Sequence, residues 1–181
     1  IDIIRRRTGG GAVYHSNRGE ITYSVIGPTK LFPKNIIESY QVICDWIILG
    51  LAKLGIKAEF SPINDIIVKG KKISGNAQTR RNNILLQHGT ILFDVDVDKM
   101  FSVLNVPDEK IKDKLIKDVK ERVTRVLDFK KVDAQKTYEA LLDGFTKDKS
   151  FEYGDLTEVE LLRAKELVRE RYSKDDWNYM K

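Results

Sequence analysis

Between residues 57 and 93 the chain alternates short apolar runs with turn-forming residues, and this alternation limits the possible fold more than any other feature. Lys69-Gly70 and Arg81-Asn82-Asn83 interrupt runs such as Ile66-Ile67-Val68 and Ile84-Leu85-Leu86. Turn residues closely spaced between β-branched and apolar runs predict short strands joined as hairpins. Residues 1–26 read as strand, glycine loop, strand, turn, strand. The turn is Ser16-Asn17-Arg18-Gly19 and the last strand is Ile21-Thr22-Tyr23-Ser24-Val25-Ile26.

The helical signals lie elsewhere. Over residues 35–54, Ile36, Tyr40, Ile43, Ile47, Leu51 and Leu54 recur at steps of three or four, which puts them on one face of a helix. Asn35 with Glu38 resembles a capping box, and Gly55 stands where a helix stops. A shorter helix is expected after Asp96 and another after Pro107. Two amphipathic helices close the chain, the first with Tyr138, Leu141, Leu142 and Phe145, the second starting at Thr157 with Glu160 three residues on. Strands early and helices late imply an α+β fold, with a mixed or antiparallel central sheet flanked by helices.

At 181 residues one domain with a real core is expected. The formal charge of +5 and pI near 9.1 suit an anionic partner without choosing among nucleotide, nucleic acid and acidic protein. The single cysteine, Cys44, excludes an internal disulfide and any multi-cysteine metal site, and fits a reducing cytoplasm. Its place beside Ile43 and Ile47 reads as a buried small hydrophobe. No membrane association is expected, because Asp45 and Lys53 interrupt the longest apolar run. The chain opens on Ile1-Asp2-Ile3-Ile4, which reads as the end of a strand, so an upstream segment is expected to be missing.

Three segments point to chemistry. In Arg5-Arg6-Arg7-Thr8-Gly9-Gly10-Gly11-Ala12-Val13-Tyr14-His15, three glycines let the backbone approach a ligand and present free N–H groups to an anion. The arginines before them supply planar donors for phosphate. The spacing is neither that of a Walker loop nor that of a dinucleotide fingerprint. In Asn64-Asp65-Ile66-Ile67-Val68-Lys69-Gly70-Lys71-Lys72-Ile73-Ser74-Gly75-Asn76-Ala77, Asp65 could hold Mg²⁺ at a strand end, although an Asn-Asp pair commonly caps its own turn. Lys72 precedes the small residues Ser74, Gly75 and Ala77, which leave room for a ligand beside a lysine that can stabilise phosphate and carboxylate oxygens. In Gln87-His88-Gly89-Thr90, His88 reads either as a pocket residue or as a hydrogen-bonded core histidine. His15 is similar, and neither has the partners of a zinc site.

Together these segments resemble the biotin/lipoate protein ligase superfamily, and lipoate–protein ligases in particular. The resemblance rests on the arginines and glycine triplet running into Ala12-Val13-Tyr14-His15, on Asn64-Asp65 followed by Lys72-Ile73-Ser74-Gly75, and on His88-Gly89-Thr90. Glu121-Arg122-Val123-Thr124-Arg125-Val126 and Trp177-Asn178 add to it, so the likeness spans essentially the whole chain. It implies a catalytic domain related in fold to class II aminoacyl-tRNA synthetases, covering residues 1–181, with its N-terminal segment missing and no C-terminal accessory domain. It implies ATP-dependent, AMP-forming activation of lipoate with Mg²⁺, then transfer to a lysine of a carrier. The carriers implied are the lipoyl domains of 2-oxoacid dehydrogenases or the glycine-cleavage H protein, with a separate accessory subunit as a possible partner. By the same resemblance Arg6, Gly9, Gly10, Gly11, Ala12, Val13 and Tyr14 line the nucleotide and acyl phosphate. Lys72 is the catalytic lysine, Asp65 helps place Mg²⁺, and Gly75 and Ala77 allow close backbone approach.

An octanoyltransferase of lipoate synthesis is the nearest rival, since Gly75-Asn76-Ala77-Gln78-Thr79-Arg80 and Leu86-Gln87-His88-Gly89 resemble those enzymes too. Such enzymes need a cysteine nucleophile, and Ala58-Glu59-Phe60-Ser61-Pro62 contains none. A biotin ligase shares the glycine loop. A nucleic-acid-binding module could use Arg5–Arg7, Arg80, Arg81 and Tyr14, but the basic residues are not interleaved with an aromatic platform, so no nucleic acid is expected.

Overall fold

The computed structural model describes residues 1–103 and 121–180, in two compact units: Gly10–Lys149, and a smaller one of Ile1–Gly9 with Ser150–Lys181. The larger unit is built on five strands: β1 (Glu20–Pro28), β2 (Glu59–Ser61), β3 (Asp65–Val68), β4 (Lys71–Arg81) and β5 (Ile84–Leu92). Their order is β1-β5-β4-β3-β2, and every pairing between them is antiparallel. The two expected turns close the central hairpins. Lys69 and Gly70 link β3 to β4 with φ of 50° and 75°, and Asn82 and Asn83 link β4 to β5 with φ of 51° and 59°. Paired positive φ values mark two-residue turns whose twist matches that of the flanking strands, and Asn and Gly tolerate them best.

Helix α1 (Ile36–Lys53) lies where the apolar period places it. Asn35 Oδ1 accepts from the Ile37 and Glu38 amides at 2.9 and 3.2 Å. Gly55, at φ 79°, ends it. Helix α2 (Val97–Val103) follows Asp96, whose carboxylate caps it through the Lys99 amide at 3.0 Å. Helix α3 (Ala134–Thr146) is capped by Asp133. The helix expected after Pro107 lies outside the described residues.

One face of the sheet is covered. Cys44, Ile47 and Leu51 of α1 and Leu141 of α3 pack with Ile66, Val68, Ile73 and Ile91 of the strands. Helices α1 and α3 meet at two glycines. A Cβ on Gly144 would come 2.2 Å from the Trp46 carbonyl oxygen, and one on Gly50 would come 2.8 Å from the Ala140 carbonyl oxygen.

The pairing of β3 with β4 is irregular. Ile66 opposes Ser74 but Ile67 opposes Lys72, so Ile73 is an extra residue on β4. Ile73 and Ser74 are consequently both fully buried on the core side. A bulge of this kind re-aims the side chains beyond it. Gly75 lies on the open face, so strict alternation would send Lys72 into the core. The extra residue turns Lys72 to the open face instead.

Residues 1–19 contain no strand, against the strands expected at Ile1–Ile4 and around Ala12–His15. Ile1, Ile3 and Ile4 are all well exposed, and no neighbouring strand satisfies their backbone groups. A short apolar run without a ladder partner does not form a strand. The Asn17–Gly19 turn and the strand after it are present, and Gly19 accepts the Phe93 and Asp94 amides through its carbonyl.

In the smaller unit, helix α4 (Glu158–Leu167) starts with the expected capping box of Thr157 and Glu160. A π-helical turn (Val168–Tyr172) and the short helix α5 (Asp175–Asn178) follow. Arg5 is tied to this unit: its amide donates to Asn178 Oδ1 at 2.9 Å and its Nε to the Trp177 carbonyl at 2.8 Å. Trp177 Nε1 returns a bond to the Arg5 carbonyl at 2.9 Å. Among the described residues no helix is long and apolar enough to cross a membrane.

Candidate active site

The open face of the sheet collects most of the residues that sequence reasoning selects on the strands. Asp65 of β3 pairs with Gly75 of β4, and Ala77 pairs with His88 of β5, all on the side away from α1. The bulge adds Lys72. Its Nζ stands 2.7 Å from Asp65 Oδ1, with the two side chains 41% and 32% exposed. The absence of a side chain at Gly75 is what admits it, because a Cβ there would meet Lys72 Cε at 2.8 Å and Nζ at 2.9 Å. The Lys72 backbone is fixed on its other side by a parallel bridge to Val123 and by the Thr124 amide donating to its carbonyl at 2.9 Å.

Asp65 Oδ1 has almost no solvent contact, and the Lys72 ammonium at 2.7 Å is its charged neighbour. A carboxylate has several lone pairs, so this one could also hold a cation beside the ammonium. Among the described residues no three His, Cys, Asp or Glu side chains gather as a metal site. Mg²⁺ needs only one or two carboxylates when substrate phosphates and water complete its shell, and the donor set here fits that kind of ion.

The glycine segment is divided between the units. Arg6 and Gly9 belong to the smaller one, where Arg6 donates to the Gly9 carbonyl at 2.8 Å. Gly10, Gly11, Ala12, Val13 and Tyr14 belong to the larger one, with Gly10 at φ 110°. A Cβ at Gly9 or Gly11 would meet nothing within 4 Å, so packing inside the protein does not demand glycine at either position. Exposed His15 pairs through Nδ1 with the carboxylate of Glu20, an acidic partner five residues on that the sequence reading did not recognise. Burial pushes the Glu20 carboxyl above its usual range, and His15 opposes that rise.

Cys44 is fully buried beneath the other face, with Asn76 Nδ2 at 3.5 Å and Gln87 Nε2 at 3.9 Å from its sulfur. Burial, reinforced by the charge of Asp45, pushes its thiol up to about 12. A thiol held neutral and away from solvent is no nucleophile. Around it runs a polar network that sequence reasoning missed. Tyr23 donates to Asn76 Oδ1 at 2.6 Å, Gln87 to the Tyr23 hydroxyl at 2.9 Å, Gln78 to Gln87 Oε1 at 2.9 Å, and Ser39 to Gln78 Oε1 at 3.1 Å.

The five-stranded antiparallel sheet with helices on one face matches the fold of lipoate-protein ligases. Residues 1–146 match the family Lipoyl protein ligase A/B catalytic domain, and the chain belongs to that family. Among curated proteins it is similar to octanoyltransferase LipM of Brevibacillus brevis, at 34% identity over 207 residues, covering 98% of this chain and 74% of that protein. It is also similar to lipoate-protein ligase A subunit 1 of Thermoplasma acidophilum, at 34% identity over 190 residues, covering 98% and 71%. By name, the curated relatives weigh toward the octanoyltransferase rather than the ligase, with LipM of Bacillus subtilis and other bacteria among them. Among solved structures, the bipartite lipoate protein ligase of Thermoplasma acidophilum, studied with its E2 lipoyl domain, matches with a TM-score of 0.90 at 35% identity, covering 97% of this chain and 69% of that one. A lipoate-protein ligase A bound with ATP matches with a TM-score of 0.84 at 31% identity, covering 98% and 72%.

Proposed function

We propose that this protein places an octanoyl-length acyl group, lipoyl or octanoyl, on a lysine of a carrier domain, and that it does so as an ATP-dependent lipoate–protein ligase. The observation that carries this reading is the pairing of an open-face Lys72 with Asp65 over Gly75 while the sequence's one cysteine is buried beneath the opposite face. A transferase working through a cysteine thioester needs a thiolate that meets substrate. A ligase needs no enzyme nucleophile, only charge to bring two anions together.

In the ligase reaction a lipoate carboxylate oxygen attacks the α-phosphorus of ATP, the bond to pyrophosphate breaks, and lipoyl-AMP forms. The carrier lysine's amine then attacks the acyl carbon and AMP leaves. The Lys72 ammonium would offset the charge that both anions bring and that grows in the transition state. Asp65 holds that ammonium in place and would help to hold Mg²⁺, which would supply further neutralisation. Gly11, which packing inside the protein does not require, suits a loop whose backbone closes on phosphate, with Gly10, Ala12, Val13 and Tyr14 beside it on the nucleotide side. The ligand named in one neighbour's structure, ATP, and the bipartite build of another support this reading, and a separate accessory subunit is proposed as its partner.

The octanoyltransferase is the second reading, favoured by the names of the bacterial relatives. One assay separates the two. The chain, with and without a candidate accessory subunit, is incubated with a lipoyl domain and either ATP, Mg²⁺ and lipoate or an octanoyl thioester alone. Lipoyl-AMP and lipoylated domain in the first mixture are expected. Octanoylated domain in the second, without ATP, overturns the ligase in favour of the transferase.

A further inference from the structure

Asn64 immediately precedes Asp65 and is joined by three hydrogen bonds to one residue of the neighbouring strand. Its carbonyl accepts the Asn76 backbone amide at 3.1 Å and the Asn76 side-chain Nδ2 at 2.8 Å. In return Asn64 Nδ2 donates to the Asn76 carbonyl. Asn76 is itself 4% exposed, and its Oδ1 is held by the Tyr23 hydroxyl at 2.6 Å. An amide buried on the core side of a strand is costly unless both its donor and its acceptor are used, and here both are. Nδ2 fixes the residue before Asp65, and Oδ1 anchors that grip to β1. The chain entering β3 is thus set by a side chain from beneath the sheet, while Asp65 emerges above it, 2.7 Å from Lys72.

We propose that Asn76 is a positioning residue for the reaction: through Asn64 it fixes Asp65, and through Asp65 the ammonium of Lys72, although it touches no substrate. The inference rests on the reading of Asp65 and Lys72 as the charge centre of acyl activation.

Two substitutions separate positioning from packing. Asn76→Ala removes the whole side chain. Asn76→Asp keeps an acceptor for Tyr23 and loses the donor to the Asn64 carbonyl. Both are expected to lower kcat for lipoylation of a lipoyl domain by about tenfold to a hundredfold, with KM for lipoate within about twofold, because displacement of a charged group by an ångström acts on the transition state. In an Asp65→Ala background, Asn76→Ala should lower kcat no further. If Asn76→Asp behaves as wild type, or if Asn76→Ala costs as much without Asp65 as with it, the positioning role is overturned. Should either variant fail to fold, Asn64→Ala, outside the core, removes the return bond from Asn64 Nδ2 to the Asn76 carbonyl and is read by the same cycle, with a smaller loss expected because the Asn64 carbonyl keeps both bonds from Asn76. If wild-type protein acylates nothing by either route, the functional reading fails on its own. The clamp is then judged by crystal structures: an Asp65–Lys72 contact unchanged in Asn76→Ala overturns it, and a separated pair upholds it.

Discussion

The ammonium of Lys72 meets the carboxylate of Asp65 at 2.7 Å across two strands, in space left vacant because residue 75 is glycine. The pair therefore depends on a backbone irregularity, an absent side chain and a strand register. Each of the three can be disturbed separately.

Gly75→Ala places a methyl group against Lys72 Cε and Nζ, which is the free end of a flexible side chain rather than backbone. The lysine swings aside and the sheet stays intact. The expected outcome is a loss in kcat on the order of a hundredfold with little change in melting temperature. Steady-state lipoylation kinetics beside a thermal melt check it, and an unaffected kcat would refute the arrangement.

Lys72→Ala should abolish acyl-AMP formation while changing stability by only about 0–1 kcal/mol, the range for a partly exposed ion pair. Lys72→Arg should not restore activity. The guanidinium is a broad planar fork and cannot occupy the narrow space over Gly75 as the compact ammonium does. Mass detection of lipoyl-AMP together with urea denaturation measures both effects.

Gly144→Ala drives a methyl group into the Trp46 carbonyl and the Gly50 backbone, where nothing flexible can yield. Helices α1 and α3 must separate, at about 1–3 kcal/mol or more. A lower urea midpoint with an unchanged slope is the expected signature. Because the joint lies on the covered side of the sheet, activity at temperatures where the variant stays folded should persist.

Cys44 should resist iodoacetamide at pH 8 in the native protein and react once the chain is unfolded. Its thiol ionises at about 12 in the folded state against 9.0 for a free thiol. Below pH 9 both states keep the proton and no pH dependence arises. Above it the unfolded chain ionises first, so the contribution to stability falls as pH rises from about 9 to 12 and is fully lost beyond. Equilibrium unfolding of wild type and Cys44→Ala across that window tests the sign. Cys44→Ala should retain lipoylation, and its loss in a folded variant would favour the transferase over the ligase.

The legible parts of this molecule were those governed by near neighbours in sequence. Helix α1 follows from a 3.6-residue period, the amide of Asn35 and the positive φ of Gly55. The two central hairpins follow from Lys69-Gly70 and Asn82-Asn83. Lys72, Gly75, Ala77 and Asp65 stood out by residue type. What stayed hidden depends on distant partners. Asn76, Gln78 and Gln87 look like solvent-facing strand residues until the register sets them side by side under α1. Arg5 looks like a phosphate ligand until Trp177 and Asn178, far along the chain, claim its donors. The apolar opening Ile1–Ile4 satisfies every local preference for a strand and forms none, because a strand is completed by its neighbour.

The extra residue in β4 has an arithmetic consequence. Residues on its two sides obey opposite odd–even rules, so Lys72 and Gly75 share a face although their numbers differ by three. Deleting Ile73 would restore one rule along the whole strand, with Lys72 still opposite Ile67 and Ser74 still opposite Ile66, so the amine of Lys72 would keep its face and the oily layer under α1 would lose an isoleucine. A single-residue gap at this point of an alignment therefore marks a strand without the bulge and still leaves the lysine on the same face as Gly75.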